Sequence, residues 1–83
     1  MRLDQFLRAS RLVLRRKIAQ ELCEVGAVTV NGAAARSSRT VRVGDEIALR
    51  RGDERTLTVR VTHVPNLRQT SKQQAATLYE IIP

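Results

Sequence analysis

One change in the spacing of apolar residues limits the fold of this chain more than any other feature of the sequence. Up to residue 26 the apolar residues recur three and four positions apart, as on a helix, and from Val28 they alternate, as on a strand. Val28-Thr29-Val30 leads directly into Asn31-Gly32, a pair that favours a type I′ turn because both residues tolerate a positive φ. The sequence therefore predicts helices followed by a β-hairpin, in 83 residues that have room for one domain.

Two short helices are predicted before the hairpin. The first covers about residues 3–9, with Asp4 in its first turn, where a negative charge suits the helix dipole. The second lies near residues 15–25 and ends at Gly26, and residues 10–14 turn the chain between them. The two apolar faces consist of Leu3, Phe6 and Leu7 in the first helix and of Ile18, Ala19, Leu22 and Val25 in the second. If the second face points to the core, Arg16, Lys17 and Gln20 lie off it and remain available to a partner.

Further strands and a last helix are predicted after the hairpin. Ile47-Ala48-Leu49 follows a Gly44-Asp45 turn, and an alternating segment over residues 57–61 follows a Gly52-Asp53 turn. Capping-box spacing at Thr70/Gln73 and Ser71/Gln74 predicts a short helix before a final strand at Tyr79–Ile82. The expected fold class is α+β, with two short N-terminal helices packed on a small, mostly antiparallel β-sheet and a short C-terminal helix.

The charge of the chain is strongly positive and unevenly distributed. Fifteen Lys and Arg against eight acidic residues give a net charge of +7, and residues 1–17 hold six basic residues against one aspartate. Such a composition indicates a polyanionic partner. Arg outnumbers Lys 13 to 2, which suits bidentate phosphate contacts, although a GC-rich genome produces the same bias.

The basic cluster predicts contact with RNA or DNA, the alternative being a solvated helix surface paired with Glu21 and Glu24. Its members are Arg2, Arg8, Arg11, Arg15, Arg16, Lys17 and Gln20. The loop Arg36-Ser37-Ser38-Arg39 either holds a backbone phosphate or is an ordinary polar loop, and both interpretations stay open. Around the Gly52-Asp53 turn, Asp53 and Glu54 can neutralise Arg50, Arg51 and Arg55, which favours a solvated hairpin tip there.

Few residues offer enzymatic or metal chemistry. The single cysteine, Cys23, borders an apolar helix face, where a thiol usually acts as a small hydrophobe, and the single histidine, His63, stands at a strand end. We therefore expect no enzyme, no cofactor and no metal. With Phe6 and Tyr79 as the only aromatic residues, recognition by base stacking is not expected, and shape and phosphates of structured RNA remain. No apolar run suits a signal peptide or membrane span, so we expect a cytoplasmic protein with no membrane partner.

Several of these segments together resemble the S-four-type RNA-binding domain, also called the alpha-L motif. The resemblance covers about residues 1–50 and rests on Arg2-Leu3-Asp4-Gln5-Phe6-Leu7, Ser10-Arg11-Leu12, Arg15-Arg16, Ala19, Gly26, Val28-Thr29-Val30-Asn31-Gly32 and Val43-Gly44-Asp45-Glu46-Ile47. Residues 49–56 and 75–80 look like the stand-alone heat-shock branch of the family. The absence of a basic C-terminal extension looks more like its RqcP (YabO-type) branch.

The resemblance implies a function and a set of contact residues. Members of the RqcP branch bind obstructed large ribosomal subunits, contact 23S rRNA and peptidyl-tRNA, and support alanine tailing by an RqcH-type factor. By position, the family's RNA-facing motif falls on Arg2, Asp4, Arg15 and Arg16, with Arg8, Lys17 and Gln20 on the adjoining surface. Asp4 is expected to orient a basic neighbour or to cap the first helix, since a carboxylate has little reason to face phosphate. The predicted RNA-binding set also includes Arg11, Arg36 and Arg39.

The expected organisation is an RNA-binding domain over residues 1–66, on which a helix and strand from residues 67–83 pack, in a monomeric protein. Two other functions stay open. The chain is alternatively a separately encoded RNA-binding accessory domain of an RNA-modifying enzyme. A nucleoid-type DNA binder is disfavoured, because no recognition helix with base-reading Asn or Gln is evident.

Overall fold

The computed structural model describes residues 1–52, 55–65 and 71–83. Helices and strands follow one another as α1 Leu3–Ala9, α2 Arg16–Glu24, β1 Val28–Val30, β2 Ala33–Ala34, β3 Glu46–Arg51, β4 Arg55–Val61, α3 Lys72–Ala76 and β5 Tyr79–Ile82. The strands form one antiparallel sheet in the order β2-β1-β3-β4-β5. The predicted α+β class and each predicted helix and strand are confirmed. Asp53, Glu54 and Thr70, and the boundary expected after residue 66, lie outside the described residues.

The turn between β1 and β2 has the geometry that its sequence predicts. Asn31 has a φ of 53° and Gly32 a φ of 86°, so both central residues lie in the left-handed region that a type I′ turn requires. The side chain of Asn31 also joins the turn to β3. Its Nδ2 donates to Oδ1 of Asp45 at 3.1 Å, and its Oδ1 accepts the N–H of Glu46 at 2.9 Å. The hairpin is therefore fixed both by backbone conformation and by side-chain hydrogen bonds.

The ends of the helices follow from local hydrogen bonds. Gly26 lies two residues after Glu24, the last residue of α2, and has a φ of +74°. The N–H of Gly26 donates to the carbonyl of Cys23 at 3.1 Å, and that of Ala27 donates to the carbonyl of Leu22 at 2.9 Å. This is a Schellman motif, and it explains why a glycine stops the helix here. At α3, the predicted capping box forms between Ser71 and Gln74.

The core lies between α1 and one face of the sheet. Leu3, Phe6 and Leu7 of α1 are fully buried. They meet alternate residues of the central strands, since the register places Val30 beside Ile47 and Ile47 beside Val59. Leu78, just before β5, completes this layer. The opposite face of the sheet carries the row Thr29, Ala48 and Thr58. The helices thus occupy one side of the sheet, and the arginine-rich segment lies on that side.

The predicted inward face of α2 is correct at Ala19 and Leu22 but wrong at Ile18 and Val25. Ala19 and Cys23 are buried, whereas Ile18 is 43% and Val25 69% exposed. The helix is rotated because Arg16 and Gln20, one turn apart, both hydrogen-bond to the buried Asp4. Arg16 and Gln20 are consequently half-buried and lie on the inner side of α2. The sequence instead predicts that both lie away from the core-facing side of the helix. Lys17 is exposed as expected.

Candidate nucleic-acid interface

A buried carboxylate joins α1 and α2. The side chain of Asp4 is 0% exposed. Its Oδ1 accepts the backbone N–H of Gln5 at 2.8 Å and Nε of Arg2 at 3.2 Å. Its Oδ2 accepts hydrogen bonds from Nη2 of Arg2 at 3.3 Å, from Nε of Arg16 at 3.1 Å and from Nε2 of Gln20 at 2.9 Å. Asp4 therefore orients basic neighbours, which was one of its two expected roles, while the N-cap position of α1 belongs to Arg2.

The carboxylate stays ionised because its partners outweigh its burial. Burial by itself raises the pKa of Asp4. The hydrogen bonds from Gln20 and Arg16 and the positive charges of Arg16 and Arg2 together lower it by more, so the pKa lies below its ordinary value. A buried charge is costly unless it is paired and hydrogen-bonded, and both oxygens of Asp4 meet this condition. The ionised Asp4 thus holds two guanidinium groups at fixed positions.

Each of these guanidinium groups still presents donors to solvent. The side chains of Arg2 and Arg16 are 43% and 41% exposed. A guanidinium carries five N–H groups, of which Asp4 uses the Nε group of Arg16 and two groups of Arg2. The remaining N–H groups can bind phosphate oxygens bidentately. Because Asp4 restricts both side chains before binding, less conformational entropy is lost when a phosphate is bound.

Two side chains that follow Arg2 in sequence, Asp4 and Gln5, accept hydrogen bonds from it. Its own N–H donates to Oε1 of Gln5 at 3.3 Å. The three-residue spacing is that of a capping box, but Arg2 is not the Ser or Thr by which such a box is recognised in a sequence, so no sequence signal pointed to Gln5. At α2 the corresponding arrangement is simpler, since Arg16 is the first residue of the helix and Gln20 lies one turn later on the same side.

Other predicted residues extend this positive surface. Arg8, Arg11, Arg15 and Lys17 are exposed on α1, on the turn and at the start of α2. Arg11 has a φ of 61°. The turn is tied to α1 by the buried Ser10, whose Oγ donates to the carbonyl of Leu7 at 3.1 Å. We call the set Arg2, Arg8, Arg11, Arg15, Arg16, Lys17 and Gln20, together with Asp4, the arginine surface.

Three exposed cations of the arginine surface, Arg8, Arg15 and Lys17, are not paired with the acidic residues of α2, Glu21 and Glu24, among the described residues. The ion pairs elsewhere lie on the sheet, where Arg60 lies 2.9 Å from Glu80 and 3.7 Å from Glu46. The structure therefore disfavours the alternative of a helix surface paired with its own glutamates.

The loop with the sequence Arg36-Ser37-Ser38-Arg39 is attached to the start of α1. The N–H of Leu3 donates to the carbonyl of Arg39 at 2.8 Å, and the N–H of Asp4 donates to the carbonyl of Ser37 at 3.1 Å. Arg2 also pairs with Thr40 in an isolated bridge. These bonds satisfy N–H groups of the first helical turn, which have no partner inside the helix. They also bring the backbone of the loop against α1, and Arg36 lines a shared cleft with Arg2.

The remaining candidates do not join this surface. Arg50 and Arg55 lie on the β3–β4 hairpin. His63 is exposed. Cys23 is buried in the core, and burial together with the charge of Asp4 raises the pKa of its thiol, so it behaves as a small apolar residue.

In the ranges that the structure describes, no three His, Cys, Asp or Glu side chains gather as metal ligands. None of the described helices has the length and apolarity to cross a membrane.

The profile of the S4 domain family matches residues 1–47. The chain is 46% identical, over 98% of its length and 89% of the relative's, to the RQC P-site tRNA stabilizing factor of Halalkalibacterium halodurans. It is 40% identical to the protein of that name in Bacillus subtilis, over 99% of this chain and 92% of the other. The trimeric structure of Vibrio cholerae Heat Shock Protein 15 has a TM-score of 0.89 at 32% identity, covering 99% of this chain and 81% of that one.

Proposed function

We propose a ribosome-associated RNA-binding function in quality control for this chain, because it belongs to the S4 domain family and its curated relatives are named RQC P-site tRNA stabilizing factors. The observation that carries the proposal is the pair Arg2 and Arg16, held by a buried Asp4 and open to solvent on the other side. The function is binding without catalysis, in the cytoplasm, where ribosomes are found.

More specifically, the protein binds the obstructed large ribosomal subunit. The arginine surface and the loop with Arg36 and Arg39 bind 23S rRNA and peptidyl-tRNA through their phosphates, and the bound protein supports alanine tailing by an RqcH-type factor. Structured RNA supplies closely spaced phosphates, and an array of guanidinium groups on a rigid helix pair matches them. Because sequence-reading aromatic platforms are absent, affinity rests on the shape and charge of the RNA.

Sedimentation of the tagged protein from cell lysate through a sucrose gradient tests this function, with sequencing of the RNA that co-purifies. Wild type is expected with large subunits that carry peptidyl-tRNA. Arg15→Ala and Arg16→Ala are expected to remain at the top of the gradient at physiological salt, whereas Arg42→Ala, which removes an equal charge elsewhere, sediments as wild type.

Two results would contradict the proposal in different ways. If both Arg15→Ala and Arg16→Ala co-sediment with large subunits as wild type does, the site is wrong while the function stands. If wild type is absent from ribosomal fractions and instead co-purifies with an RNA-modification enzyme, the alternative of a separately encoded accessory domain replaces the proposed function.

A further inference from the structure

A cleft with a volume of about 430 Å³ lies beside the arginine surface, between the C-terminal half of α2 and the segment after β2. We call it the α2–loop cleft and define it by Arg2, Cys23, Glu24, Ala35, Arg36 and the serine pair 37–38. The cleft is shallow and open to solvent, so it suits one group that a larger ligand presents to it rather than a whole small molecule.

The inner wall of the cleft is apolar and made of small side chains. Cys23 is 7% and Ala35 8% exposed. The Cys23 thiol is neutral, since burial raises its pKa, so it presents a small apolar surface. Because both side chains are small and almost fully buried, they form a low surface against which a flat group can lie. An aromatic or heterocyclic ring is therefore the kind of group that this wall accommodates.

One side of the cleft carries positive charge on a fixed backbone. Arg2 is held by Asp4 through Nε and Nη2. The loop that bears Arg36 is fixed by the hydrogen bond from the N–H of Asp4 to the carbonyl of Ser37, at 3.1 Å, and by that from Arg39 to the carbonyl of Arg36, at 3.0 Å. Within residues 1–52, 55–65 and 71–83, the Arg36 guanidinium makes no ion pair. These two arginines suit a phosphate group.

Glu24 contributes the opposite chemistry to the same cleft. A carboxylate repels a phosphate and accepts hydrogen bonds from N–H groups. A ligand that complements the cleft therefore carries a phosphate group, which faces Arg2 and Arg36. It also carries a flat ring, which lies against Cys23 and Ala35, and N–H donors, which face Glu24. A nucleotide has all three, and guanine offers two adjacent N–H groups on its Watson–Crick edge. That edge is free only in an unpaired nucleotide.

We propose that the α2–loop cleft binds one unpaired guanosine nucleotide of the RNA that the arginine surface holds. This inference rests on the proposed function and adds to it a base-selective subsite. The backbone contacts of the arginine surface supply general affinity, and the cleft places the protein at a position where a base leaves the helical stack.

Fluorescence anisotropy with a 5′-fluorescein RNA hairpin tests the proposal. One hairpin carries a single bulged guanosine, a second carries a bulged adenosine, and a third is fully paired. Wild type is expected to bind the guanosine bulge about tenfold more tightly than the paired hairpin, as expected for one well-held base. Arg36→Ala abolishes this preference, whereas Arg42→Ala, with the same loss of charge outside the cleft, retains it.

Glu24→Gln provides a second variant with an opposite signature. Removal of the carboxylate is expected to leave or slightly raise affinity for the paired hairpin, because a negative charge near the RNA is lost, and to remove the preference for guanosine over adenosine. Circular dichroism verifies that each variant is folded. Equal wild-type affinity for all three hairpins, or an unchanged preference in Arg36→Ala, overturns the cleft but not the proposed function. Absence of binding to any hairpin at low salt overturns both.

Discussion

Oδ2 of Asp4 in α1 lies 3.1 Å from Nε of Arg16, the first residue of α2. This contact orients the guanidinium group and, together with the hydrogen bond from Gln20, fixes the rotation of α2. The same carboxylate also holds Arg2 and Gln20, so a single buried charge organises residues from both helices. Loss of Asp4 is therefore expected to affect both stability and RNA binding.

Asp4→Asn is expected to lower the free energy of unfolding by about 2 kcal/mol, because a buried charged acceptor of several hydrogen bonds is replaced by a neutral amide. Urea titration at neutral pH measures this loss. Glu21→Gln, an exposed position on α2, serves as the control and should fall within about 0.5 kcal/mol of wild type. An Asp4→Asn protein as stable as wild type would show that the buried network contributes no net stability.

Stability should fall at acidic pH through the same residue. The pKa of Asp4 in the folded protein lies below its ordinary value of 3.8, so the unfolded state binds a proton more readily. The contribution of Asp4 is then fully present above its ordinary pKa and is lost as pH falls toward the lower pKa of the folded state. In urea titrations between pH 7 and pH 3, the difference between wild type and Asp4→Asn should shrink at the acidic end. A difference independent of pH would contradict this assignment.

Arg15 and Arg16 are adjacent, yet their substitutions should differ in stability. Arg15 is exposed and without an ion pair among the described residues, so Arg15→Ala is expected to leave the thermal midpoint nearly unchanged. Arg16→Ala removes a partner of Asp4 and should lower it. Both should weaken RNA binding, and each lost phosphate contact reduces the slope of log affinity against log salt by about 1. Identical melting curves for the two variants would show that the Asp4–Arg16 contact is not stabilising.

The β1–β2 turn offers a test of its two fixing contributions. Gly32→Ala places a Cβ at a φ of +86°, and should cost about 1 kcal/mol of backbone strain. Asn31→Gly keeps the positive φ accessible but removes the bonds to Asp45 and Glu46, with a similar loss of about 1 kcal/mol expected. Guanidinium unfolding of both variants provides the measurement. If Asn31→Gly is as stable as wild type, backbone conformation alone fixes the hairpin.

Features encoded by local geometry could be predicted from the sequence. The bounds of α1, the end of α2 at Gly26 and the Asn31-Gly32 turn depend on a few adjacent residues whose φ preferences and spacing are visible in the sequence. The alternation of apolar residues in β3 and β4 likewise follows from burial of one sheet face. These signals were sufficient for the fold class.

The rotation of α2 could not be predicted in the same way. Ile18, Leu22 and Val25 have a convincing apolar spacing, and periodicity alone assigns them to the core. Leu22 does pack against the core, but Ile18 and Val25 are exposed. Their outward position follows from Asp4, twelve residues before Arg16, and a buried carboxylate in another helix leaves no mark on the periodicity of α2. The attachment of residues 37–39 to α1 was hidden for the same reason, because it consists of backbone hydrogen bonds between distant segments.

That attachment also governs when the arginine surface can form. Leu3 and Asp4 donate their backbone N–H groups to the carbonyls of Arg39 and Ser37, so the first turn of α1 completes its hydrogen bonds only after a segment more than thirty residues later has been synthesised and positioned. Contacts so far apart in sequence form slowly, because the intervening chain must first be ordered. Arg2 and Asp4 leave the synthesising ribosome before residues 37–39 but reach their final arrangement only after them, so a partly folded chain lacks the two guanidinium groups that Asp4 holds in place.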